Sequence, residues 1–136
     1  MGTPKWCDEG ENRVLNILLG DTPVDGAYYL GLYKNSVEPG EDAKVSDLTE
    51  PSGFGYARKP LSRGTTNWTI TGNEAVYAAE QTLLAQGGDW GNIYGYFITT
   101  TLTGTGGKLM GLEHLGSAYS VLDGKGIKII PKLKCS

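Results

Sequence analysis

Few residues in this chain carry groups that could do chemistry. The one histidine, His114, stands between Glu113 and Leu115, and a Ser-His-Asp arrangement would have to use it. No Gly-x-Ser-x-Gly elbow accompanies it. Gly116-Ser117-Ala118 is the nearest approach and reads as a loop. Gly104-Thr105-Gly106-Gly107-Lys108 has the composition of a phosphate loop without its spacing, and no helix follows to offer amides, so a hairpin turn is expected. Glu38, Glu41, Asp42, Asp47 and Glu50 collect in one segment, and carboxylates suit calcium. EF-hand spacing is missing, so a solvated loop is the expectation. Paired carboxylates for glycoside hydrolysis are defined by their separation in space, and nothing along the chain singles out a pair.

The two cysteines, Cys7 and Cys135, lie near opposite ends. A disulfide between them would close nearly the whole chain into a loop and contribute ~4–5 kcal/mol on the entropy model. Cytosolic assembly keeps thiols reduced, so two free thiols are expected. There is no CxxC and no Cys/His cluster to hold zinc. Trp68, Trp90, Tyr94 and Tyr96 could stack on sugars, but aromatics supply much of the buried area of a small β protein. Core or subunit interface is therefore the expected place for them. Asn67-Trp68-Thr69 matches a glycosylation acceptor. The N-terminal segment lacks the charged and apolar stretches of a signal peptide, so we expect cytosolic synthesis and read the match as coincidence. Enzymatic activity, cofactors and metals are not expected.

Composition narrows the class. With 136 residues the chain fits one domain over 1–136. At 39% hydrophobic and 20% charged it is globular and not disordered. Its 21 glycines are about twice the usual share of ~7%; without a Gly-X-Y period they mark tight turns between short strands. The net charge of −3 and the lack of a basic stripe argue against nucleic acid as a partner. Lys125, Lys128, Lys132 and Lys134 form only a mildly basic strand, read as a solvated face. No apolar run is long enough to span a membrane.

The elements that must position these residues are mostly strands. One amphipathic helix is expected near 8–20. Asp8 caps it, Glu11 completes a capping box, and Val14, Leu15, Leu18 and Leu19 fall on one face. Gly20 and Pro23 end it. That apolar face needs a cover, either the chain's own sheet or a neighbouring subunit. About eight short strands follow between 28 and 133. Tyr28 to Tyr33 is apolar throughout, so both of its faces should be covered. Tyr56 to Leu61 contains Pro60, which points to an edge. Asn67 to Thr71 alternates, placing Trp68 and Ile70 inward. Glu74 to Ala79 and Gln81 to Ala85 are further strands. Asn92 to Thr101 and Lys108 to Leu115 form a hairpin across the Gly104–Gly107 turn. Asp123-Gly124 should join Tyr119–Leu122 to Ile127–Leu133 as a second hairpin. Between the first two strands, Ser46 should cap a helical turn through Val45–Leu48. The pattern is all-β: an antiparallel β-sandwich or jelly-roll-like fold.

Several segments, taken in order, resemble a family of small virion structural proteins of tailed bacteriophages and prophages. They are the helix from Asn12 to Leu19, Tyr29-Leu30-Gly31-Leu32-Tyr33-Lys34-Asn35, Leu48-Thr49-Glu50-Pro51 and Gly55-Tyr56-Ala57-Arg58. Trp90-Gly91-Asn92-Ile93-Tyr94-Gly95-Tyr96-Phe97-Ile98 and Gly126-Ile127-Lys128-Ile129-Ile130-Pro131-Lys132-Leu133 complete the series. The resemblance spans most of the chain, and the order of the motifs carries it. It implies a β-sandwich within the particle, in the head or the tail. The terminal cysteines depart from the pattern.

The leading reading is a non-enzymatic capsid decoration or cement protein, which binds the assembled head and stabilises it by mass action. Its partners would be the major capsid protein or other virion proteins, in a dimer or trimer assembled in the host cytoplasm. Trp6, Val14, Leu15, Leu18, Leu19 and Trp90 are the candidate interface. The alternative is a tail or baseplate component contacting host-surface glycan through the four aromatics. A glycan hydrolase on the tail is a third reading, supported only by unplaced carboxylates.

Overall fold

In a computed structural model describing residues 3–135, the chain forms ten antiparallel strands and one α-helix. The strands are β1 (Lys5–Trp6), β2 (Ala27–Tyr33), β3 (Lys59–Ser62), β4 (Trp68–Thr71), β5 (Glu74–Tyr77), β6 (Gln81–Leu84), β7 (Gly91–Thr99), β8 (Leu109–Val121), β9 (Gly126–Ile129) and β10 (Lys132–Lys134). The helix α1 is Asp8–Leu19. A large sheet has the order β1-β8-β7-β2-β3; smaller sheets pair β10-β5-β4 and β6-β9.

Strand β2 shows why the large sheet is central. Leu30 and Leu32 enter one core, with Leu61, Ile93, Ile98, Leu83 and Ile127; this core joins the large sheet to the smaller ones. Tyr33, on the opposite face, enters a second core with Phe97, Leu112, Val45 and Leu48, supplied partly by the 35–50 segment. Gly31 is required between them, since a Cβ there would collide with the Phe97 ring. Both faces of β2 are thus covered, as its unbroken apolar run implies. Pro60 indeed lies on an edge strand, because β3 closes the large sheet.

Several expected elements change. The stretches 108–115 and 119–122 form one 13-residue strand, β8. Asp123-Gly124 makes its turn, with Gly124 at φ 79° and the Lys125 N–H donating to the Leu122 carbonyl at 2.9 Å. The flanking strands nevertheless do not pair as a hairpin: β9 bonds to β6 instead. The expected last strand breaks at Ile130-Pro131 into β9 and β10. Ile70 points outward at 72% exposure, because β4 is the edge of a three-stranded sheet with nothing over that side. The turn near Ser46 is a 3-10 helix, Val45–Asp47, capped not by Ser46 but by the Asp47 carboxylate on the Lys44 N–H.

Candidate functional site

Among the described residues, those singled out for chemistry are not bonded to one another. His114 Nδ1 lies 2.9 Å from the Tyr33 hydroxyl, and its ring stacks between Tyr33 and Tyr94, with centroids 5.8 and 6.2 Å away. Burial pushes the Tyr33 hydroxyl pKa well above its ordinary value. The histidine therefore helps hold an aromatic stack together. Three carboxylates of the acidic segment are engaged in structure. Glu38 pairs with Lys5, Asp47 caps the 3-10 turn, and Glu50 binds Arg58. Among the described residues no group of His, Cys, Asp and Glu is placed to hold a metal ion.

The four aromatics weighed as a sugar platform are not all at the surface: Trp68 and Tyr94 are half-buried, and Trp90 and Tyr96 are buried. Trp90 is only 3% exposed; its indole N–H donates to the Phe54 carbonyl at 3.1 Å and its ring meets Tyr56 edge-on. Tyr96 is equally buried, and Trp68 packs on the core against Tyr77. Trp90, one of the candidate interface residues, is thus buried in the core of the chain. Its large apolar ring sits at the junction of the sheets, where the chain itself covers it.

The two cysteines are free thiols, Cys7 buried and Cys135 exposed. Cys7, not Asp8, is the N-cap residue of α1, and no side chain caps the helix there. Burial pushes the Cys7 thiol up to about 12 from its ordinary 9.0. The folded thiol holds its proton more tightly than the unfolded one, so its contribution to stability is full below pH 9.0 and is lost as pH rises to about 12. A thiol-reactive dye at pH 8 is expected to label one thiol per native chain, Cys135, and two after denaturation. Rapid labelling of both in the native protein would contradict this placement.

Two surfaces remain. The first is α1. Acidic Asp8, Glu9 and Glu11 occupy its first turn, where the helix dipole favours them. The Glu9 carboxylate accepts from the Leu109 N–H, and Arg13 forms a two-bond pair with Asp25. Only Gly10 is buried, against the backbone of Met110 in β8. Val14 packs toward the core, whereas Leu15, Leu18 and Leu19 are 56%, 70% and 84% exposed. The apolar face foreseen from periodicity is thus divided. A helix seated at one glycine near its start cannot also cover leucines in its last two turns. Trp6 is half-buried in β1 beside Gly111, at the edge of the large sheet.

The second surface is a groove of about 740 Å³ between the outer half of β8 and β9, with Tyr96 and Glu113 in its floor. The Tyr96 hydroxyl donates to Glu113 Oε1 at 2.8 Å and accepts from the Lys132 N–H at 3.0 Å. Burial and the neighbouring carboxylate raise the Tyr96 pKa far above its ordinary value, so this hydroxyl stays a donor. Sequence reasoning placed His114 but passed over Glu113. A single acid in a strand carries no local sign that it will be buried.

Over residues 5–132 the chain matches the protein family described as podophage GP4 fiber I protein gp80. No curated protein matches it.

Proposed function

Since this chain belongs to the podophage GP4 fiber I protein gp80 family, and is thereby a structural protein of a tailed-phage particle, we propose that it is a non-enzymatic building block of a phage fibre. The family description favours a fibre over the capsid surface, and so favours the tail-associated reading over head decoration. The observation that carries the proposal is the trio Leu15, Leu18 and Leu19, left exposed on a helix that is otherwise well anchored. Exposed apolar side chains gathered on one face mark a protein contact. A neighbouring fibre chain covers them, either a second copy in a dimer or trimer or another virion protein. Val14 precedes them on the helix and packs toward the core, Trp6 is half-buried in β1, and no enzymatic step is required of the contact. Of the four aromatics weighed as a glycan platform, Trp90 and Tyr96 are buried within the chain, while Trp68 and Tyr94 are half-buried.

The test is quantitative mass spectrometry of purified particles with heads, tails and fibres separated. The chain is expected to travel with the tail and fibre fraction. Copies in the heads comparable to the major capsid protein would overturn this reading and restore decoration of the capsid. Replacing Leu15, Leu18 and Leu19 together by Ser is expected to change the stability of the isolated chain by less than about 1 kcal/mol, since solvent-facing substitutions cost little. Incorporation into particles should fall at least tenfold, because the contact loses its desolvated anchors. Normal incorporation of the variant would refute the helix as the contact.

A further inference from the structure

The groove beside β8 has the construction of a slot for one more strand. Its walls are not sheet faces. Residues 115–119 of β8 line one side and residues 126–130 the other, each as an unbroken run. A face presents alternate residues, whereas an edge presents consecutive ones. Pairing explains why both edges are open. Strand β1 pairs with β8 only at Gly111 and Leu112, so among the described residues the edge away from β7 is unpaired beyond Glu113. Strand β9 bonds to β6 along one edge only. The chain reverses after Val121, and β9 runs back beside β8 without bonding to it. The Tyr119 hydroxyl, 3.3 Å from the Gly126 carbonyl, closes the end near the turn.

Strand β8 is also bowed along this wall. Ile93 pairs with Tyr119 and Gly95 with His114, so the four residues 115–118 stand opposite Tyr94 alone. Bulges of this kind re-aim a strand, and here the bulge releases backbone groups of 115–118 from the β7 ladder. Open edges are templates for pairing with another chain, and folds ordinarily cover or blunt them.

The floor supplies the second observation. Glu113 is 3% exposed, lines the groove, and accepts one hydrogen bond, at Oε1 from Tyr96. Its Oε2 has no hydrogen-bond donor among the described residues, and no lysine or arginine there pairs with it. That oxygen keeps contact with solvent in the groove, so a cation brought by a ligand can reach it and bond to it.

We propose that this groove receives an extended segment of another virion protein as an added strand between β8 and β9, with a Lys or Arg side chain of that segment on Glu113 Oε2. Main-chain bonds to both walls supply affinity, and the acidic floor supplies selectivity. The inference rests on the chain being a component of the virion, but uses a surface separate from the leucines of α1.

The probe is a set of short overlapping peptides tiling the other proteins of the same particle, offered to the full-length chain. Peptides with alternating apolar residues around a Lys or Arg are expected to bind, and hydrogen exchange should slow at the amides of 115–119 and 126–130 when they do. Glu113→Gln keeps the acceptor for Tyr96 and removes the charge, and should weaken binding about tenfold or more. Ser117→Pro, at an exposed position of the bulge, should weaken it comparably by removing one wall amide. Three results would each overturn the slot: no peptide bound, equal affinity for Glu113→Gln, or protection confined to α1. Binding of host glycan there in place of peptide would overturn it as well. Failure here with the chain still found in the fibre fraction would leave the proposed function standing.

Discussion

Arg58→Met is expected to destabilise the protein by about 3 kcal/mol or more, read as a fall in the urea midpoint at unchanged slope. The Arg58 side chain is 4% exposed and makes a two-bond pair with Glu50, through Nη2 at 2.6 Å and Nε at 3.1 Å. Its remaining donors reach the Thr101 carbonyl at 2.9 Å and the Gly104 carbonyl at 2.7 Å, and its guanidinium lies over the Phe97 ring. One side chain thus ties the turn before β3 to the turn of the β7–β8 hairpin. The network continues through Tyr56, whose hydroxyl donates to Glu50 and accepts from the Leu32 N–H of β2. Removing the cation strands the Glu50 carboxylate and two carbonyls. The cost falls toward the lower end of that for breaking buried pairs, because Glu50 keeps 22% of its side-chain surface in water. Arg58→Lys should recover less than half of the loss, since an ammonium cannot fork to a carboxylate and two carbonyls at once. Full stability in Arg58→Lys would mean that charge alone matters here.

The second large effect is one of sign. Gly10 lies inside α1, and by helix propensity alone Gly10→Ala should stabilise by roughly 1 kcal/mol. The structure predicts the reverse. A Cβ at Gly10 would meet the Met110 carbonyl oxygen, with the Met110 Cα only 2.7 Å away. These are backbone atoms in the middle of the large sheet and cannot rotate aside, so the helix must lift. Overpacking of this kind costs about 1–3 kcal/mol beyond the propensity gain. Lifting the helix also strains the Glu9 bond to Leu109, and it moves Leu15, Leu18 and Leu19 as a group. Gly10→Ala should therefore lower thermal stability and reduce incorporation into particles, although every leucine is still present. A variant more stable than the parent would show that α1 does not rest on β8 in this way.

The chain order alone determined the character of most elements. Apolar spacing marks α1, although its cap is Cys7 and not Asp8. The uninterrupted Tyr28–Tyr33 run predicts a strand covered on both faces, and Pro60 predicts an edge. The Gly104–Gly107 cluster predicts the turn of the central hairpin. The virion resemblance was legible in the same way, from the order of strand and turn motifs. These properties are local: backbone preference and side-chain period act within a few residues.

What only the tertiary structure decided is which faces are covered and which edges are paired. Trp90 just before β7 and Ile70 in β4 are both large apolar residues, yet one is core and the other faces solvent, because a second layer lies over one and not the other. Asp123-Gly124 makes the expected turn, but β9 leaves β8 for β6, since its apolar Ile127 and Ile129 are buried in the core there. That choice of partner opens the groove, bows β8 at 115–118 and sets Glu113 in the floor. Pairing and burial are contacts between segments distant in the chain, so the energy that selects them is absent from any local stretch of sequence.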